Sequence, residues 1–158
     1  MFGDLDSTPK YKTTNFGKIA TFVGGGTPSK EHPEYFGGEI PWISTPCLGK
    51  YFIDKNDAKD FLTEDGLKNS STHLIPSRSI MIGTRVGVGK CSINLCPMCT
   101  NQDIVSLTKI DPASFDLLFV KYCVEMITSH LKGIQHGSTI QGVTISDIKK
   151  AKIALVHW

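Results

Sequence analysis

Apolar positions along this chain recur mainly at strand spacing, in short runs interrupted by glycine and proline. "EIPWIST" (39–45) and "KYFI" (50–53) are rich in aromatic and β-branched residues and bounded by turn formers, which predicts short strands. "RSIMIGTRV" (78–86), "CSINLCP" up to Pro97, and "NQDIVSLTKI" (101–110) predict three more. "FGKIATFVGGG" is a short amphipathic segment ending in a glycine loop, and the following "TPSKEHPEYFGG" is irregular. In "TEDGLKNSST" (63–72), Thr63 stands where an N-cap would, with acids in the next turn, so a helical turn is expected. One long helix is well signalled. Asp111 fits an N-cap, Pro112 the first helical position, and Gly133 a left-handed cap after Lys132. Phe115, Leu118, Phe119, Tyr122, Met126 and Leu131 recur near helical spacing and are expected to form its packed face. "TISDIKKAKIALV" (144–156) predicts a capped turn followed by a strand.

The pattern is that of an α+β fold, with short, mostly antiparallel or mixed strands, glycine-rich loops and one long helix. Residues 1–14 are polar and turn-rich and are expected to be a linker; 15–158 is expected to be a single domain. Composition agrees. The chain has 158 residues, 40% apolar and 20% charged, enough for one globular core. No apolar run reaches the roughly 18 residues of a membrane span, and no secretory signal opens the chain. Five cysteines, an odd number, argue against a disulfide framework and for a reducing cytoplasm.

Net charge is only +2, but its distribution is uneven. Asp54, Asp57, Asp60, Glu64 and Asp65 cluster, reading as a solvated face rather than a catalytic pair. From Gly66 to Gln102 there is no acid, while Lys68, Arg78, Arg85 and Lys90 occur. A second acid-free stretch runs from Met126 to Ser146. Segregation of this kind builds a positive face on a nearly neutral domain.

Catalytic motifs are missing or broken. "GTRVGVGKCS" (83–92) invites comparison with a P-loop, yet Thr84 replaces the first glycine, Cys91 replaces the magnesium-binding hydroxyl, and a strand rather than a helix is expected to follow. "CPMC" (96–99) is a lone CxxC that Cys91 and Cys123 would have to complete; it is expected to be structural, without zinc. There is no G-x-S-x-G, no HExxH and no deaminase signature. No enzyme activity and no cofactor are therefore expected. What remains is four loops rich in Gly, Ser, Thr, Asn, Gln, Lys and Arg. Glycine lets a backbone approach a phosphate, hydroxyls and cations fix it, and amides read base edges. The candidate contact residues are Thr27, Ser29 and Lys30; Arg85 and Lys90; Asn101 and Gln102; and His136, Ser138, Thr139 and Gln141.

The order "FGKIATFVGGGTPSK", "IPWIS", "NSSTHLIPSRSIMIGTRVGVGK", "TNQDIVSL", a long helix and "GSTIQGVTISDIKKAKIAL" resembles the target recognition domain of type I restriction–modification specificity subunits. The similarity covers about Asn15 to Leu155. Gly26, Thr27 and Pro28 match the family's glycine–threonine–proline loop, Trp42 its strand tryptophan, Asn101 and Gln102 its Asn-Gln pair, and Gly137, Ser138 and Thr139 its Gly-Ser-Thr loop. The acid that often follows the tryptophan is absent from "STPCLG" (44–49). The resemblance implies a non-catalytic reader of one half of a bipartite site in double-stranded DNA. It also implies methyltransferase and restriction subunits as partners, and a second specificity half. Residues 1–14 would then be a spacer remnant, and the chain a truncated gene product, a half-subunit or an excised domain. Two other functions stay open at this point: a nucleotide-binding enzyme using Gly83–Lys90, and a protein-interaction domain with no DNA role.

Overall fold

A computed structural model describes residues 12–134 and 143–155. Five strands form the main sheet: β2 (Thr21–Gly24), β4 (Phe52–Ile53), β6 (Ile80–Gly83), β7 (Cys91–Asn94) and β9 (Ile104–Thr108). Their spatial order is β2-β9-β6-β7-β4, antiparallel except for the parallel β4–β7 edge. A second sheet orders β5 (Asp60–Leu62), β3 (Phe36–Ile43) and β8 (Cys99–Thr100), with β3–β8 parallel. β1 (Thr13–Asn15) pairs antiparallel with β10 (Lys152–Ala154), drawing Thr13 and Thr14 into the fold. The mixed, mostly antiparallel α+β architecture expected from the sequence is present.

The central strands β6, β7 and β9 are buried along their whole length. Period-two alternation then sends their side chains into two different cores. Ile80, Ile82, Cys91, Ile93, Val105 and Leu107 face the main cluster, which Phe16, Val120, Val124, Val143, Ile148 and Ile153 complete. Met81 and Ile104 face the opposite cluster with Ile43, Leu48, Ile53, Ile75 and Met98. The sheet is thus sandwiched between α3 (Leu117–Ile134) with α4 (Ile145–Lys150) on one side and the β3 region on the other.

The helix caps follow the sequence closely in two places. Thr63 Oγ1 accepts from Gly66 N–H at the start of α2 (Glu64–Lys68), and Thr144 forms a reciprocal capping box with Asp147 at the start of α4. The long helix differs. Asp111 caps a turn instead, accepting from the Ala113 backbone and the Ser114 hydroxyl, and helix α3 begins at Leu117 with Asp116 accepting from Leu118 N–H. The helix continues through Gly133 to Ile134, the last described residue of this segment. Its packed face is also phased differently. Val120, Val124 and Thr128 are fully buried, whereas Leu118, Tyr122 and Met126 are exposed. Phe115, Phe119 and Leu131 do pack against the core. The reason is that this helix carries two apolar stripes, Leu118–Tyr122–Met126 and Val120–Val124, so two phases of the periodicity compete. The slimmer β-branched residues face the sheet, and the Thr128 hydroxyl is satisfied by the Val124 carbonyl at 2.7 Å.

The remaining strands are shorter than their apolar runs. The "CSINLCP" strand stops at Asn94, because Asn94 turns its side chain back into the preceding loop. Part of the acidic cluster is local architecture: Asp54 and Asp57 form a capping box, and Lys50 pairs with Asp57 at 2.7 Å.

Candidate nucleic-acid interface

The register of the main sheet places three of the four polar loops at one end. Gly24 pairs with Val105, Gly83 with Ile104, and Ile82 with Cys91. Hence the loops after β2, before β9 and between β6 and β7 leave the sheet side by side. The fourth loop, holding His136, Ser138, Thr139 and Gln141, lies outside the described residues. Its downstream end is nevertheless fixed at the same place, since Val143 N–H donates to the Thr84 carbonyl at 2.7 Å.

These loops are bonded to one another rather than merely adjacent. Gly26 N–H donates to the Thr100 carbonyl at 3.0 Å, Asn101 N–H to Ile43 at 2.9 Å, and Thr84 N–H to Asp103 at 2.9 Å. Thr72 Oγ1 donates to the same Thr100 carbonyl at 2.7 Å. The first contact needs glycine beside it: a Cβ on Gly25 would lie 2.1 Å from the Asn101 carbonyl oxygen. Trp42, on β3, is 8% exposed and donates its indole N–H to the Gly26 carbonyl at 3.0 Å. The tryptophan that the sequence singles out therefore holds the Gly-Thr-Pro loop from beneath.

On this scaffold the candidate side chains point outward. Thr27, Ser29 and Lys30 are exposed. The Thr27 hydroxyl donates to Oε1 of the exposed Gln102, linking the first and third loops. Ser29 Oγ accepts from Glu31 N–H, shaping its turn. Asn101 is half-buried, and its Oδ1 accepts from Asp103 N–H at 3.1 Å, so this amide oxygen builds the turn.

Gly83 to Lys90 closes the β6–β7 hairpin. Gly83 N–H donates to the Lys90 carbonyl at 2.9 Å and Gly89 N–H to the Gly83 carbonyl at 3.1 Å. Gly87 takes a φ of 60° and Gly89 one of 94°, the left-handed values that a tight reversal demands. Strand β7 follows directly, so no helix N-terminus is available to cradle a nucleotide phosphate. Arg85 and Lys90 are both exposed on this hairpin.

The cysteines are dispersed. Cys91 belongs to the main core and Cys123 packs against it, Cys96 joins the opposite cluster, and Cys99 sits with Trp42 and Leu62. Burial pushes the Cys99 thiol up to about 11. Among the described residues, no three His, Cys, Asp or Glu side chains converge as metal ligands would.

Sequence reasoning missed Thr72, Thr84 and Asp103 as loop connectors. Thr84 and Asp103 connect through backbone groups, which carry no residue-type signal, and Thr72 connects through a hydroxyl whose distant partner is a backbone carbonyl.

A sheet whose loops gather at one end, buttressed from behind and carrying exposed hydroxyls, amides and cations among the described residues, has the chemistry suited to a polyanion. The chain belongs to the family of type I restriction modification DNA specificity domains, which matches residues 9–157. It is 30% identical over 152 residues to the type I restriction enzyme MjaIX specificity subunit of Methanocaldococcus jannaschii, covering 95% of this chain and 35% of the relative. It is 32% identical over 142 residues to the EcoR124I/EcoR124II specificity subunit of Escherichia coli, covering 87% and 33%. The chain thus spans about a third of the length of these relatives. The fold is shared with the HsdS subunit from Thermoanaerobacter tengcongensis at a TM-score of 0.69 and 14% identity, over 94% of this chain and 33% of that one. A chain from a type I R-M system, studied for complex assembly and conformational transition, superposes with a TM-score of 0.71 at 14% identity, covering 94% and 34%.

Proposed function

We propose that this domain reads one half of a bipartite site in double-stranded DNA and has no catalytic activity of its own. The observation that carries the proposal is the bonded convergence of the Thr27, Arg85 and Gln102 loops at one sheet end, where Val143 is also bonded. Arg85 and Lys90 contact phosphates, joined by Lys30 and the Ser29, His136, Ser138 and Thr139 side chains. Gln102 and Gln141 read base edges, the Thr27–Gln102 bond being exposed and replaceable by a base. Asn101 shapes the turn beside them. Residues 15–158 act as the recognition domain, and 1–14 as a linker or spacer segment whose end contributes to β1. Methylation and restriction belong to separate methyltransferase and restriction subunits in the cytoplasm, and a second specificity half reads the other half-site.

The test is selection of bound duplexes from a random library, followed by titrations over several salt concentrations. One half-site and few phosphate contacts put non-specific affinity on the order of 10⁻⁴–10⁻⁶ M. A shared motif should be enriched. Lys90→Ala should weaken selected and scrambled duplexes alike and lower the salt slope by about one. Absence of any enriched motif, or unchanged binding in both Arg85→Ala and Lys90→Ala, would refute the reading.

A further inference from the structure

The opposite end of the main sheet carries a feature that DNA reading does not use. Among the described residues only two that are not glycine have positive φ: Arg78 at 62° and Lys109 at 58°. Arg78 lies just before β6 and Lys109 just after β9, and the register pairs Ile80 with Leu107. The two cations therefore emerge together, away from the hairpin holding Arg85. Both line one cavity of about 500 Å³, whose walls include Ile110, Phe115 and Leu117. That volume lies within the range of ligand sites, roughly 300–1,000 Å³. Asp116 also lines it, its Oδ1 accepting from Leu118 N–H, so the two cations outnumber the one carboxylate at this site.

Left-handed backbone at a non-glycine residue persists only where its surroundings enforce it. At Arg78 they do. Its N–H donates to the Asn94 carbonyl at 2.7 Å. The fully buried Asn94 side chain accepts from Ser79 N–H at 2.8 Å and donates to the Pro76 carbonyl at 2.9 Å. Glycine or asparagine would fit this conformation more easily, yet arginine and lysine occupy both positions.

We propose that this cavity is a docking site for an acidic peptide segment of a protein partner, with a carboxylate between Arg78 and Lys109 and a neighbouring apolar side chain against Phe115, Ile110 and Leu117. Charge complementarity selects the carboxylate. The apolar walls select the peptide over DNA, because the phosphate group that the two cations would hold has no large apolar side chain beside it to fill them. The proposal is independent of the DNA reading, since it uses the other end of the sheet.

The full chain would be titrated with a Glu-Phe-Glu-Leu peptide capped at both ends (acetyl and amide), following the Phe115 resonance by NMR in every variant and Lys109 where it is present. Parallel titrations use the Gln-Phe-Gln-Leu peptide, inorganic phosphate and a short random duplex. The double variant Arg78→Gly/Lys109→Gly keeps the backbone conformation while removing both charges, and its folding is checked by circular dichroism. The acidic peptide should shift both resonances and bind the double variant roughly tenfold more weakly or worse, as loss of two charge-assisted contacts requires. The Gln peptide should bind far less. No shift at millimolar peptide, equal binding by the Gln peptide, or unchanged affinity in the folded double variant would overturn the proposal. So would phosphate or duplex shifting the same resonances as effectively as the peptide, which would mark a phosphate site instead.

Discussion

Trp42→Phe separates the scaffold of the reading face from its contacts. The indole N–H is a buried donor to the Gly26 carbonyl at 3.0 Å, and Gly26 is buried as well. Phenylalanine leaves that carbonyl without this donor, which costs about 1–3 kcal/mol. The smaller ring also leaves a void against Leu62 and Cys99, which share its cluster. Deleting a few ring atoms from a core costs roughly 1 kcal/mol more. The total is about 2–4 kcal/mol, a large part of a domain stability of roughly 5–15 kcal/mol but short of unfolding it. Urea melts followed by circular dichroism should show a lower midpoint with unchanged slope, because the surface exposed on unfolding is the same. The loop carrying Thr27 loses its anchor, so affinity for the selected duplex should fall while the salt slope stays constant. No phosphate contact has been removed in this variant. A stability loss below about 0.5 kcal/mol, the scale of an ordinary surface substitution, would refute the reasoning. So would a changed salt slope, since Trp42 would then act on the phosphates rather than through the loop.

Asn94→Ala removes a fully buried side chain that bonds Ser79 N–H and the Pro76 and Cys96 carbonyls, and should cost about 3 kcal/mol in a urea melt, because it orphans buried backbone groups. Arg78→Gly should raise the melting temperature of the isolated chain, since it relieves a left-handed strain of about 1–2 kcal/mol; a lower value would mean that Arg78 contacts outweigh the strain. The Lys50–Asp57 pair holds the Asp57 carboxyl below its ordinary value, its hydrogen bond to the lysine being the largest cause. The native state thus favours the ionised carboxylate, and the pair's contribution is present at neutral pH and lost as pH falls through Asp57's lowered value. Lys50→Met should accordingly destabilise at neutral pH and converge with the unaltered protein in acid well below about pH 3.9, the ordinary carboxylate value.

Legibility followed the range of the interaction that fixes each feature. Caps at Thr63 and Thr144 depend on a side chain and a backbone group three residues away, and both stood where the sequence placed them. The phase of α3 depends on which apolar stripe meets the sheet. Leu118–Tyr122–Met126 and Val120–Val124 both have helical spacing, so periodicity alone cannot choose. Packing chooses the β-branched stripe, which fits close to the flat strands. The loop end of the sheet shows the same division. Gly25, Thr27, Arg85 and Gln102 were visible as residue types suited to a polyanion. The bonds that gather them, Gly26 to Thr100, Thr84 to Asp103 and Val143 to Thr84, join backbone groups far apart in sequence. Backbone donors and acceptors are nearly the same at every residue, so only the strand order could reveal those partners. Trp42 is the exception that links the two levels. Its side chain is both conspicuous in the sequence and the donor that holds the Gly26 carbonyl, so a single residue type announces a long-range contact. This is also why its substitution is the sharper test: it perturbs the geometry of the reading face without removing any group that the face presents.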